Sequence, residues 1–211
     1  MKISYGITVH NESKELNTLL EILVHKSDTE DEIIIVQDGD DKEVGEVISK
    51  WMNETLDWKG IYWHTRKLDG NFSDQKNYVI EQCTGDYIFH IDADEYPHET
   101  LLAQLKQILE INDVDLLWIP RVNTVEGFTD DDVRKWGWRI SEQGWVNYPD
   151  YQSRVFRNKK DIRWRKTMII SPILLKIQSE SSSSLKRLVK AVGPKSRTPS
   201  ESYSLFMLKW I

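Results

Sequence analysis

Three carboxylates lie close together in the segment GDYIFHIDADEYP, residues 85–97. Strands are poor in acidic residues, and Asp92, Asp94 and Glu95 repel one another, so a bound divalent cation is the simplest explanation. Asp92 and Asp94 point the same way if the strand continues that far. Such a pair supplies hard oxygen ligands for Mg²⁺ or Mn²⁺, which also take water and substrate phosphates. A cation there could hold a nucleotide diphosphate and neutralise the charge that develops on it as it leaves; the alternative is a solvated turn with an incidental Asp-x-Asp.

Further polar residues stand where other strand-like runs stop. Asp38 follows EIIIVQ and could accept hydrogen bonds from a nucleobase or a ribose, or could instead form a turn before Gly39. Asn11 and Glu12 follow the first run and could cap the next helix or touch a ligand. Lys76 could meet a phosphate or stay solvated on a helix. Each of these residues therefore has a binding interpretation and a purely structural one.

Strand-like and helix-like segments alternate from the start of the chain. Apolar runs predict strands at 2–11, 31–41, 60–66, 85–97 and 114–122, and helical spacing predicts helices at 13–26, 42–52, 73–83 and 98–111. Ser73 or Asp74 is the expected N-cap of the third helix. This alternation predicts an α/β, Rossmann-like fold whose largely parallel sheet has helices on both faces. In such sheets ligands bind beyond the carboxyl ends of the strands, where the polar residues stand.

Composition and missing motifs exclude several other classes. The net charge of −6 argues against a nucleic-acid surface, and no apolar run is long enough for an integral membrane segment. No signal peptide is recognisable, so a cytoplasmic location is the default expectation. No Gly-x-Gly-x-x-Gly follows the first strand, and neither a P-loop nor zinc-spaced Cys/His residues occur. Cys83 is the single cysteine, and His90, inside a strand, is expected to be structural.

Four ordered segments resemble those of a glycosyltransferase of family 2. They are ITVHNESKELNTLLEIL, EIIIVQDGDD, SDQKNYVIEQCTGDYIFHIDADE and PDYQSRVFRNKKDIRW. The resemblance covers residues 1–165 and implies a GT-A glycosyltransferase domain. It also implies transfer of a sugar from a nucleotide-diphosphate sugar, most simply a UDP-sugar, to a carbohydrate or other hydroxyl acceptor. Such transfer is usually inverting and usually uses Mn²⁺ or Mg²⁺.

The same resemblance assigns roles to individual residues. It implies that Thr8, His10 and Glu12 border the nucleotide pocket and that Asp38 contacts the base. Asp92 would face the ribose and the metal, and Asp94 would be the direct metal ligand.

Inverting transfer needs a base that deprotonates the acceptor hydroxyl. In the family this is an acidic residue beyond the Asp-x-Asp, often shortly before an arginine. Asp150, four residues before Arg154, matches best, with a turn after Pro149 as the alternative. Three tryptophans could stack on a sugar ring, although such residues more often pack in a core or at its edge; they are Trp136, Trp138 and Trp145.

The resemblance stops after IRWRK, where relatives tend to continue with Val-His-Glu. Residues 166–211 carry eight Lys/Arg, two Asp/Glu and ten serines. We interpret this stretch as an atypical basic, Ser-rich tail, flexible rather than a domain, and as a replaced or out-of-frame C-terminus. The donor site would then lack its closing wall.

Three functions remain open from the sequence. The first is metal-dependent sugar transfer. The second is a truncated or degenerate domain that binds nucleotide-sugar without turnover, which the missing Val-His-Glu favours. The third is nucleotidyl transfer, which predicts a nucleoside triphosphate substrate and a glycine-rich, basic first loop, unlike TVHNES at 8–13.

Overall fold

The computed structural model describes residues 1–55, 60–165, 168–170 and 208–210. Within them the helices are α1 Ser13–Lys26, α2 Lys42–Glu54, α3 Phe72–Gln82, α4 Glu99–Asn112 and α5 Asp130–Trp136. The strands are β1 Ile3–Val9, β2 Glu32–Gln37, β3 Ile61–Thr65, β4 Tyr87–Asp92, β5 Glu95–Pro97, β6 Leu116–Asn123, β7 Val146–Arg157, β8 Arg163–Arg165, β9 Met168–Ile170 and β10 Leu208–Trp210.

The main sheet has the strand order β3-β2-β1-β4-β7-β6-β10-β5. Its first four strands are parallel, because a helix carries the chain back between consecutive members. Beyond β4 the sheet is mixed: β7 is antiparallel to both β4 and β6, and β10 is parallel to β6 but antiparallel to β5. The parallel arrangement predicted from the sequence thus describes the N-terminal half of the sheet.

Helices cover both faces of the sheet, as predicted. In β2 the alternate residues Ile33 and Ile35 belong to one core cluster, which also contains buried residues of α1, α2 and α4. Ile34 and Val36 face the opposite way and belong to a second cluster with residues of α3. Because both sets are buried, β2 is apolar along its whole length, which is why its sequence shows no alternation.

Gly6 in β1 allows α3 to pack closely on the sheet. A Cβ atom at this position would lie 2.6 Å from Cγ1 of Val79 in α3, which is far inside van der Waals contact. Any side chain here would force Val79 or the helix to shift, so glycine is strongly favoured where α3 crosses this strand. The close approach places the N-terminal half of α3, including Lys76, beside the ends of β1 and β4.

One local expectation was wrong, and the condition on which a second depended is not met. The N-cap of α3 is Asn71, whose side chain accepts a hydrogen bond from the Asp74 amide, and not Ser73 or Asp74. Strand β4 ends at Asp92, and Asp94 lies in a turn before β5. The period-two argument for Asp92 and Asp94 therefore does not apply, since it holds only along an extended strand.

Most of the basic segment predicted at 166–211 lies outside the described residues. Its described parts are β9, antiparallel to β8, and β10 in the main sheet. The boundary at residue 165 and the flexible tail stay predictions. In the part of the chain that the structure describes, no helix is long and apolar enough to cross a membrane.

Candidate functional site

The carboxyl ends of β1, β2 and β4 meet at one edge of the sheet. The register pairs Thr8 with Val36 on one side and with Asp92 on the other. The Asp38 amide donates to the Val9 carbonyl at 2.8 Å, and the Ala93 amide donates to the Thr8 carbonyl at 3.2 Å. The polar residues that follow these three strands are thus brought together, as expected for parallel strands.

Asp38 is held at this edge by two groups. Its Oδ1 accepts a hydrogen bond from the Leu68 amide at 2.8 Å, and its Oδ2 lies 3.3 Å from Nδ1 of His10. The same Nδ1 lies 3.0 Å from the Asp38 carbonyl oxygen, so it carries the proton. The bond to this carbonyl is the main reason that the pKa of His10 is raised, and the nearby Asp38, Glu12 and Asp41 carboxylates act in the same direction.

Glu12 stabilises the loop after β1. It occupies the N-cap position of α1, but its side chain does not cap that helix. Instead its Oε2 accepts hydrogen bonds from the amides of His10 and Asn11, at 2.8 and 3.1 Å. The carboxylate therefore fixes the backbone that carries the exposed His10 ring. Neither alternative for Glu12, a helix cap or a ligand contact, anticipated this role.

Asp92 is surrounded by donors from three elements. Its Oδ1 accepts from the Thr8 hydroxyl at 3.1 Å and lies 3.1 Å from Nζ of Lys76. Its Oδ2 accepts from Arg154 at 2.9 Å. Burial alone would raise the pKa of Asp92, but the Arg154 and Lys76 charges outweigh it and hold the pKa well below its ordinary value. Asp92 is therefore ionised at neutral pH.

Lys76 is not a solvated lysine on the surface of α3, which was the alternative to a phosphate contact. Its side chain is only 16% exposed, and its Nζ lies 4.7 Å from the centroid of the Trp164 ring. A cation over a tryptophan face is attracted by the ring quadrupole. The ammonium is thus held between an aromatic ring and the Asp92 carboxylate.

Glu95 connects Asp92 to the other half of the site. Its side chain is 1% exposed, and its Oε1 accepts from both Arg154 and Arg121. Burial raises the pKa of Glu95, and the Asp92 charge adds to this, while Arg154 opposes it. The buried Glu95 carboxylate thus positions two arginines, and one of them, Arg154, also binds Asp92.

Asp150 stands at the far end of the same network. It lies in β7, opposite Arg121 of β6, so its alternative as a turn residue is wrong. Its Oδ2 accepts from Nε and Nη2 of Arg121, at 3.0 and 2.7 Å, and from Asn123 at 3.2 Å. Its Oδ1 accepts from Gln152 at 2.7 Å. Burial would raise the pKa of Asp150, but the hydrogen bonds from Asn123 and Arg121 lower it.

The result is a line of alternating charges across the site, here called the ion-pair chain. It runs Lys76–Asp92–Arg154–Glu95–Arg121–Asp150. Sequence reasoning missed Arg121 and Arg154 as site residues, and it gave Glu95 no role of its own within the acidic cluster. The available signal was the crowding of carboxylates at 92–95, which requires compensating cations, but the sequence does not indicate which arginines supply them.

Asp92 and Asp94 are the residues that could hold a divalent cation. Among the described residues, no group of three or more His, Cys, Asp or Glu side chains is arranged to hold a metal by itself. Two carboxylates nevertheless fit Mg²⁺ or Mn²⁺, because such ions are commonly bound through one or two carboxylates plus substrate phosphates. A carboxylate has about four lone-pair positions, and three donors already contact Asp92. The donor set thus suits a cation that the substrate helps to hold.

The remaining predicted aromatic and histidine residues are placed as follows. Trp136 is 62% exposed, while Trp145 and Trp138 pack edge-on against neighbouring aromatic rings. Their stacking on an acceptor sugar stays a prediction. His90 is fully buried beside Trp164, and burial holds its pKa well below the ordinary value. A neutral, buried ring agrees with the structural role expected for His90.

The sequence and the fold match known proteins. The profile of the family described as Glycosyl transferase family 2 matches residues 4–174. The prophage-derived glycosyltransferase SunS of Bacillus subtilis (strain 168) is 27% identical over 136 residues, which are 63% of this chain and 30% of SunS. Glycosyltransferase GlyG of Streptococcus pneumoniae serotype 4 is 25% identical over 115 residues, 54% of this chain and 37% of GlyG. The chain thus spans about a third of these relatives.

The structural comparison identifies the fold. The structure of S. aureus TarS residues 1–349 in complex with UDP-GlcNAc superposes with a TM-score of 0.57 at 18% identity, covering 78% of this chain and 49% of that one. A longer TarS structure superposes with a TM-score of 0.55 at 18% identity, covering 79% of this chain and 31% of that one. The predicted GT-A fold is confirmed. Since the family profile extends over most of the sequence, the chain belongs to glycosyl transferase family 2.

Proposed function

We propose that this chain provides the donor-binding and catalytic domain of a glycosyltransferase that moves a sugar from a UDP-sugar to a hydroxyl acceptor. The observation that carries the proposal is the position of Asp92 and Asp94 at the carboxyl end of β4, beside the ends of β1 and β2. Ligands of open α/β sheets bind at such an edge, and the chain belongs to a family of sugar-transferring enzymes.

The proposed donor site follows the three strand ends. Asp38 would accept hydrogen bonds from the base, and His10 would lie against it, because the Asp38 and Glu12 contacts fix this exposed ring. Thr8 would keep Asp92 oriented toward the ribose. UDP-GlcNAc is the first donor to test, since the TarS structure of the same fold was obtained with that nucleotide-sugar.

Asp92 and Asp94 would hold Mn²⁺ or Mg²⁺ together with the donor. The cation would supply positive charge to the diphosphate as it departs. Lys76 would add a second positive charge at the same place, because its ammonium already lies at the Asp92 carboxylate.

Asp150 would act as the base of an inverting transfer. It would accept the proton of the acceptor hydroxyl as that oxygen attacks the anomeric carbon from the side opposite the departing diphosphate. Its link to Asp92 through the ion-pair chain supports the assignment, because it ties the proposed base to the proposed donor site. The hydrogen bonds from Asn123 and Arg121 keep the Asp150 carboxylate ionised, as a proton acceptor must be, although they also lower its pKa and so its basicity.

Calorimetric titration of UDP-GlcNAc, UDP-glucose, UDP-galactose and GDP-mannose, each with and without Mn²⁺, tests the donor site. Binding that requires Mn²⁺ and is lost in Asp94→Ala is the expected result. The matched control is Asp161→Ala, which removes an exposed carboxylate elsewhere in the chain. Metal-independent binding, or equal binding by Asp94→Ala and the wild type, would remove Asp94 from the site.

The same samples should be assayed for released nucleotide diphosphate. Slow hydrolysis that depends on Mn²⁺ and Asp150 would support transfer, because water then replaces the acceptor. Metal-dependent binding without turnover in any acceptor screen would support the alternative of a binding domain. Binding of UTP in preference to every UDP-sugar would point instead to nucleotidyl transfer.

A further inference from the structure

Two cations contact Asp92, and they are held differently. Arg154 is 4% exposed and also binds Glu95, so its departure would break ion pairs with two carboxylates at once. Lys76 has no second ion-pair partner among the described residues, and it is held otherwise by the Trp164 ring. Of the two cations, Lys76 is therefore the one free to move.

Lys76 also contacts both oxygens of the carboxylate that would bind the metal. Its Nζ lies 3.1 Å from Oδ1 of Asp92, which the Thr8 hydroxyl also contacts, and 3.4 Å from Oδ2. An ammonium and a divalent cation on the same carboxylate repel each other strongly where water is partly excluded. Lysine is suited to changing partners, because its ammonium is a point charge on a flexible four-carbon stem.

We propose that Lys76 is an exchangeable counter-ion: it neutralises Asp92 until a divalent cation binds there, and then transfers its ammonium to the donor diphosphate. This inference rests on the proposed function, because it requires metal and diphosphate at the same site. It assigns Lys76 two successive partners. A diphosphate is a suitable second partner, since its charge attracts the ammonium just as Asp92 becomes occupied.

The exchange has a thermodynamic signature that a merely structural residue would not give. Removing the Lys76 charge frees Asp92, so Mn²⁺ alone should bind more tightly, by about tenfold for the loss of one competing charged hydrogen bond. The same change removes a cation from the diphosphate, so UDP should bind about tenfold more weakly at saturating Mn²⁺. A residue that only maintains the local structure would weaken both.

The experiment measures free Mn²⁺ by electron paramagnetic resonance and UDP binding by calorimetry. The variants are Lys76→Gln and Lys76→Met, the second of which keeps an apolar stem against Trp164. Lys76→Arg retains the charge and should keep the weak binding of Mn²⁺ alone. The control is Lys159→Gln, which removes a lysine that pairs with Asp115 at 2.8 Å. Circular dichroism establishes that each variant is folded.

Opposite shifts in the two affinities, absent from the Lys159→Gln control, would support the exchange. Unchanged or weaker binding of Mn²⁺ alone by the folded neutral variants would overturn it, as would unchanged binding of UDP. Equal tightening of Mn²⁺ binding in Lys76→Arg would also overturn it, because charge would then not be the cause. Failure of the proposed function looks different: the wild type would bind neither UDP nor UDP-GlcNAc with Mn²⁺, while the titration with Mn²⁺ alone would still report on Lys76.

Discussion

Glu95→Gln is expected to destabilise the protein strongly, although Glu95 is not among the proposed ligands. The substitution keeps the size of the side chain and removes its charge. Arg154, which is 4% exposed, then loses one of its two carboxylate partners, and Arg121 keeps only a neutral amide oxygen where it had a carboxylate oxygen at 3.1 Å. Removing one partner of a buried ion pair typically costs about 3–5 kcal/mol.

Two features reduce this cost. Arg154 keeps Asp92, and Arg121 keeps Asp150 at 2.7 Å, so neither arginine becomes wholly unpaired. The pKa of Glu95 is raised, which means that burial already disfavours its charge. We therefore expect a loss of about 2–3 kcal/mol in the free energy of unfolding, which lowers the urea midpoint by about 1–1.5 M for an m-value of about 2 kcal/mol/M.

Urea denaturation followed by far-ultraviolet circular dichroism measures this shift. Glu99→Gln is the matched control, because Glu99 also pairs with a cation, Lys26 at 2.9 Å, but with 69% of its side chain exposed. The control should not change the midpoint measurably, since exposed ion pairs contribute little. If Glu95→Gln shifts the midpoint no more than the control does, Glu95 does not organise the two arginines and the reasoning fails.

Three other substitutions test separate parts of the structure. Asp150→Asn should leave the affinity for the donor unchanged but lower donor hydrolysis at least about 100-fold; an active variant would end the assignment of Asp150 as base. Gly6→Ala should lower the free energy of unfolding by about 1–3 kcal/mol, because the added Cβ would lie 2.6 Å from Val79. Thermal denaturation measures this change, and an unchanged midpoint would mean that α3 can shift at no cost. Hydrogen bonds from Lys159 and Arg157 lower the pKa of Asp115, so the ionised Asp115 stabilises the fold above its unfolded pKa of about 3.9, and this contribution is lost as the pH falls. The acid-induced loss of stability should therefore be shallower in Asp115→Asn than in the wild type. Identical profiles of stability against pH for the two proteins would contradict this.

The N-terminal half of the fold could be predicted because its signals are local. The leucines at helical spacing in residues 13–26 gave α1 with its observed bounds, and the apolar run of β2 indicated a strand buried on both faces. Once the strands are parallel, the meeting of Thr8 with Asp92 and of His10 with Asp38 follows from topology.

The other half could not be predicted because its contacts depend on tertiary register. Strand β7 contains Pro149 and several polar residues, so it resembles a loop in sequence, yet it pairs with β4 and β6. Arg121 and Arg154 look like ordinary surface arginines until those pairings place them around Glu95. The N-cap of α3 was missed because Asn71, Ser73 and Asp74 are all good capping residues within four positions.

The position of β7 also bears on how the chain matures during synthesis. Strand β4 pairs with β1 on one side, but its other neighbour is β7, more than fifty residues further along the chain. When residues 1–112 have left the ribosome, β4 has an open edge capable of pairing with another chain. At that stage Glu95 still lacks Arg121 and Arg154, and Asp92 lacks Arg154, so the ion-pair chain is assembled only after β6 and β7 emerge. A ribosome stalled between these points would display an acidic, open-edged sheet, which is the kind of nascent surface that chaperones protect from aggregation.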